Sequence, residues 1–143
     1  MARGDKQKMK TNLLTDFDVF CYIRNHLETQ NAKSQIAEEK LDVNEISNIF
    51  CAYRSPDGLS CAIGCLIEDK HYSAGLEKND VYDMSVRAAI VKSIPNWELN
   101  EELLADLQHI HDVVSVEKWK NHLAILSNNF NSVGSYLRNG EEE

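Results

Sequence analysis

Apolar residues recur along this chain at the three- and four-residue spacing of an amphipathic helix. The clearest case is Val116, Trp119, Leu123, Leu126 and Phe130, which predicts a helix over about 116–130. Just before it, Leu103, Leu107, Ile110 and Val114 repeat the spacing. Asn100 is placed to cap that helix, and Glu101 and Glu102 lie at the positive end of its dipole. A further helix over about 80–92 carries Val81, Met84, Ala88 and Val91 on its stripe, with Asn79 or Asp80 as cap and Pro95 forbidding continuation. Near the start, Thr15 to Asp18 has the form of a capping box. Phe20, Ile23 and Leu27 then share one face of a helix running to about Asn31.

The middle of the chain is less regular. Residues 34–40 predict a short helix, and Asp42 with Glu45 caps another short turn. The run Asn48-Ile49-Phe50-Cys51-Ala52-Tyr53 is β-prone in composition. Ser55-Pro56-Asp57-Gly58 is a turn: proline presets φ, aspartate bonds its own backbone, and glycine accepts positive φ. In Cys61-Ala62-Ile63-Gly64-Cys65-Leu66-Ile67, small residues alternate with apolar ones, which suits a buried helix in preference to a central strand. The predicted fold is mainly α, α+β at most: a compact single-domain helical fold with a small extended element near residues 49–54.

Composition adds boundaries to this picture. The chain has 143 residues, 43% of them hydrophobic and 27% charged, the balance of one globular domain. That domain is expected over residues 13–137, with a disordered basic terminus at 1–12 and a disordered acidic tail at 138–143. No apolar run reaches the roughly 18 residues a membrane span needs, so a cytoplasmic protein is expected. The first ten residues hold four basic groups and one acid. The other 133 hold 11 basic and 22 acidic groups, a net of −11 within a total of −8. An acidic body repels a phosphate backbone, which disfavours nucleic-acid binding. It permits mimicry of nucleic acid, but the carboxylates are scattered and interspersed with lysines.

Four cysteines, Cys21, Cys51, Cys61 and Cys65, lack a secretory context and are expected to be thiols, mostly small buried core residues. Cys51, Cys61 and Cys65 with His71 would make a tetrahedral zinc set, but the cysteines lack the two-residue knuckle spacing, and no metal is expected. A cysteine with His109 or His111 and Asp112 would make a nucleophile, base and orienting acid if the fold joined them. His111 falls on the apolar side of its helix and reads as a core-edge histidine, whereas His109 is near the polar side. No Gly-rich phosphate loop, HExxH or EF-hand pattern occurs, and no cofactor is expected.

The block from Cys51 to Ile67, C-x-Y-R…D-G-x-x-C-A-x-G-x-L-I, together with Leu107-Gln108-His109-Ile110-His111-Asp112, resembles a family of small, largely uncharacterised proteins of tailed phages and prophages. The likeness covers roughly residues 48–130. It departs at Glu68, where proline is expected, and at Glu77-Lys78, where Glu-Gly is more usual. The resemblance implies a viral or prophage accessory protein and brings no established activity.

Within the resembling region, Tyr53, Arg54, Asp57, Gly58, His71, Tyr72, His109, His111 and Asp112 are the unusual polar positions. An arginine fork beside aromatic and imidazole donors suits a planar or anionic ligand. These nine residues form the candidate ligand site, with Arg54 expected to reach Asp112. The expected function is non-enzymatic binding of a host protein or a small anionic ligand, with interference in host defence as its purpose. A small hydrolase or nuclease-like enzyme using His109, His111 or Asp112 is the alternative. Self-association is left open.

Overall fold

The computed structural model describes residues 13–38 and 48–138. In chain order the elements are α1 (Asp16–Gln30), β1 (Gln35–Glu38), β2 (Asn48–Cys51), α2 (Met84–Ser93), α3 (Glu101–Val113) and α4 (Trp119–Leu126). Single 3₁₀ turns lie at Gly64–Leu66, Asp69–His71, Ala74–Leu76 and Val116–Lys118. The fold is mainly α, and the extended element is the hairpin β1–β2, antiparallel, with Gln35 opposite Cys51 and Ile36 opposite Phe50. Among the described residues no helix is long and apolar enough to cross a membrane. The terminus expected at 1–12, the turn at Asp42 and Glu45, and residues 139–143 of the tail expected at 138–143 lie outside the described residues, whereas Arg138 is described and donates to Asp106.

The capping box of α1 forms as its residues dictate. The Asp18 N–H donates to Thr15 Oγ1 at 3.1 Å, and the Thr15 N–H donates to the Asp18 carboxylate at 2.9 Å. The helix stops at Asn31, whose φ of 51° is the left-handed conformation asparagine tolerates. Asn100 caps α3 by accepting from the Leu103 N–H at 3.1 Å. Phe20, Ile23 and Leu27 of α1 meet Leu103, Leu107 and Ile110 of α3 and Trp119 and Leu123 of α4 in one core. Each such side chain contributes roughly 1.5–3 kcal/mol by leaving water. Asp16 closes the rim by accepting from Trp97 Nε1, Asn100 Nδ2 and the Tyr136 N–H at 2.9–3.0 Å.

Five expectations are corrected. Residues 35–38 are a strand and not part of a helix, because they find a partner in β2 that local propensity could not foresee. Cys61–Ile67 is neither a full helix nor a strand: one 3₁₀ turn crosses under Tyr53 and the chain then extends at Ile67. α2 starts later, capped by Asp83, and buries Val86, Ala89 and Ile90. The predicted stripe of Met84, Ala88 and Val91 faces solvent, while Val81 is buried ahead of the helix. The last helix ends at Leu126, short of Phe130. Of the thiols, Cys61 is buried, Cys51 and Cys65 are half-buried and Cys21 is exposed, so Cys21 is no core residue.

Two glycines carry different constraints. A Cβ on Gly64 would stand 2.0 Å from the Tyr53 carbonyl oxygen, a backbone atom with nowhere to go. Gly58 has a φ of 85° with open space around it. Gly64→Ala is therefore expected to cost about 3 kcal/mol or more, and Gly58→Ala about 1–2 kcal/mol. Urea melts of the two variants check the order; equal losses would contradict this crossing.

Candidate functional site

The nine expected ligand residues fall into two groups. The first surrounds the turn. Gly58 and Asp57 complete it, with Ser55 Oγ donating to the Asp57 carboxylate and the Ser55 N–H donating to the Leu59 carbonyl at 2.9 Å. Tyr53 is buried and donates its hydroxyl to the Asn79 carbonyl, so it is no part of an exposed surface. Arg54 does not reach Asp112. Its Nη2 donates to the Ile67 carbonyl at 2.7 Å, its Nη1 meets Asp69 at 2.7 Å, and its guanidinium lies 4.5 Å above the Tyr72 ring. The nearer carbonyl at the end of the crossing 3₁₀ turn, 13 residues on, wins over a carboxylate on a distant helix. His71 pairs with Glu68 at 3.7 Å.

Glu77 organises this group, and sequence reading missed it. Its carboxylate accepts the Tyr53 N–H at 2.9 Å, the Arg54 N–H at 3.2 Å and the Tyr72 hydroxyl at 2.5 Å. Two backbone donors in irregular chain thus find a side-chain carboxylate acceptor instead of a strand partner. The signal available was a lone acid after an apolar turn, which does not single out a position.

The second group lies on α3. His111 is fully buried. The Ser34 N–H donates to its Nε2 at 2.9 Å, which leaves the ring proton on Nδ1, aimed at Asp112 Oδ1 2.7 Å away. Asp112 also accepts from Gln108 Nε2 at 2.6 Å, and the Cys51 thiol lies within 4.8 Å of its carboxylate. Burial alone would raise the Asp112 carboxyl, but the hydrogen bonds from His111, Cys51 and Gln108 outweigh it and hold it below its ordinary value. Burial, then the hydrogen bond to Asp112, pushes the Cys51 thiol up to about 12.

These residues edge a cleft of about 640 Å³. Ala105, Gln108, His109 and Asp112, at i, i+3, i+4 and i+7, form the α3 wall. Phe50 and Cys51 of β2 with Tyr53 line another side, and residues 78–82 the third. The volume lies in the range of small-molecule sites. Lys78, one of the points at which the chain departs from the phage block, has a φ of 70°, and its ammonium sits 4.8 Å from the centre of the Phe50 ring.

The chemistry this cleft supports is narrow. Cys51, His111 and Asp112 form the one group of possible metal ligands found among the described residues, their donor atoms within 4.8 Å of one another. The Ser34 N–H occupies the lone pair of Nε2, so a metal at Nδ1 would require an imidazolate or an N–H facing an N–H. The donor set does not fit a metal. The zinc set of Cys51, Cys61, Cys65 and His71 is not assembled either, since Cys65 Sγ donates to the Ala62 carbonyl and His71 faces Glu68. Nor is the thiol activated. A thiol near 12 is roughly one part in 10⁵ thiolate at neutral pH, and its acidic neighbour makes it less nucleophilic, not more. His109 is exposed at the cleft mouth, apart from this network.

Compared with family models, curated proteins and solved structures, the chain matches none of them.

Three outcomes follow from this geometry. With a thiol-specific alkylating reagent at pH 7, peptide mapping is expected to find Cys21 modified first and Cys51 protected; rapid labelling of Cys51 would show an activated thiol. Arg54→Ala is expected to cost about 1–2 kcal/mol in a urea melt. It loses one carbonyl bond and the ring contact, and its ion-pair partner Asp69 is 96% exposed and survives alone. The depressed Asp112 carboxyl contributes stability that is full above the ordinary carboxylate range and is lost as pH falls through its lower folded value. The gap between wild type and Asp112→Asn should therefore narrow in urea melts below about pH 4; a gap independent of pH would mean the carboxylate carries no folding linkage.

Proposed function

We propose that this protein is a non-catalytic binding module whose ligand site is the cleft between β2, residues 78–82 and α3. The carrying observation is the cleft itself: space for a small molecule, walled by aromatic and polar side chains, beside a thiol and an imidazole committed to structural hydrogen bonds. The anionic ligand expected from the Arg54 fork loses that support, because the fork is engaged by Ile67 and Asp69. The resemblance to small phage proteins supports placing the binding act in an infected cell, with a host-derived molecule as ligand and interference with host defence as the outcome.

Native mass spectrometry of gently purified protein tests this. A bound small molecule is expected on the wild type and on Cys51→Ser, and is expected to be absent from Ala105→Trp, which fills the cleft from the α3 wall. At a hundred times its dissociation constant the isolated ligand should stabilise the fold by about 2.7 kcal/mol. Retention of the bound mass in Ala105→Trp, or modification of the ligand during incubation, would overturn the reading.

The solvent-facing stripe of Met84, Ala88 and Val91, with Met84 83% exposed, favours docking of a host protein as a second reading. Met84→Lys should then abolish capture of that protein and leave the molecule in the cleft untouched.

A further inference from the structure

Resting on the reading of the cleft as a ligand site, we infer that its ligand is an organic cation, an ammonium compound held by carboxylates and an aromatic face. Three observations converge on this. The first is the charge of the walls. Asp112 accepts from Gln108 and His111 through Oδ1 alone and is held below its ordinary value, while a carboxylate offers about four acceptor positions. Asp80 faces the same cleft and is engaged by the Tyr82 N–H at 2.9 Å, with its second oxygen left for the exposed side. The field of these groups reaches the buried Tyr53 phenol. Burial raises its pKa first, and Cys61, Asp80, Glu77 and Asp112 raise it further.

The second observation is that an ammonium already sits there. Lys78 places its Nζ 4.8 Å from the Phe50 ring centre, within the distance at which a cation is attracted to an aromatic face. Its backbone holds φ at 70°, a conformation that costs a lysine energy and that a surface loop without a constraint would relax. Lys78 thus places a tethered ammonium on the aromatic face that the ligand's cationic group would take, and an incoming ammonium competes with it for the ring. The third observation concerns the alternative. The cation expected in the candidate site, Arg54, is engaged elsewhere, and an anion in this cleft would face Asp80 and Asp112 in a protein of net charge −8.

Isothermal titration with choline and putrescine as cationic probes, and with adenosine monophosphate and citrate as anionic probes, decides the matter. The wild type is expected to bind the cationic probes and not the anionic ones. Lys78→Gln removes the competing charge and should tighten cationic binding roughly five- to tenfold, as expected for one unit charge about 4 Å away at the water-like dielectric of exposed groups. Asp80→Asn keeps an acceptor for the Tyr82 N–H and should weaken it by a similar factor. Both positions are exposed, so neither variant endangers the fold. If the anionic probes bind and Lys78→Gln abolishes their binding, the cationic assignment is overturned while the cleft remains a binding site. If the cationic probes bind but neither variant changes their affinity, the cation lies elsewhere and the assignment fails. If no probe binds and no molecule accompanies the purified protein, the binding reading of the cleft fails together with it.

Discussion

A buried imidazole with both nitrogens occupied sets the register of this structure. His111 accepts the Ser34 N–H at one edge and donates to Asp112 at the other, and neither bond survives exchange of its tautomer. Ser34 in turn donates its hydroxyl to the Ala52 carbonyl at 2.7 Å and accepts the Ala52 N–H at 2.9 Å. One side chain therefore fixes where the β1–β2 hairpin docks against α3. Because the hairpin carries Phe50 and Cys51 and the helix carries Asp112, the same bond determines the width of the cleft. Both imidazole nitrogens and the Ser34 hydroxyl have partners, the condition under which a buried network specifies a structure instead of weakening it.

The stretch between β2 and α2 has little regular secondary structure, and its backbone donors and acceptors need other partners. Long polar side chains supply them. Gln30 brackets Ser60, accepting its N–H at 3.0 Å and donating to its carbonyl at 2.9 Å. Gln108 accepts the Ile63 N–H at 3.2 Å. Glu77 serves Tyr53 and Arg54, and Arg54 serves Ile67. Each of these side chains substitutes for a strand neighbour, which is how so compact a crossing as that of Gly64 beneath Tyr53 stays satisfied.

What the sequence made legible follows from how local each determinant is. α1 and α3 were readable because cap, stripe and stop all lie within the element. α2 was readable as a helix but not in phase: Met84, Val86, Ala88, Ala89, Ile90 and Val91 surround it with apolar residues, so spacing alone does not say which face turns inward. β1 was unreadable because its partner is a separate segment that begins about ten residues further along the chain, and pairing, not propensity, makes it a strand. At the site, the burial of His111 and its place beside Asp112 were visible in the helical pattern. The arrival of Cys51 from another element was not, nor was the choice of Arg54 for a carbonyl over Asp112, since both are decided by tertiary approach.

The chain has two tryptophans, and both are buried with their indole N–H groups bonded: Trp97 to Asp16, and Trp119 to the Val114 carbonyl at 2.9 Å. The Trp119 ring lies 5.5 Å from that of His111. The molecule thus carries two intrinsic fluorophores at different seams, one against the residue that seats the hairpin and the other where α1 begins, so its own emission reports the loosening of either.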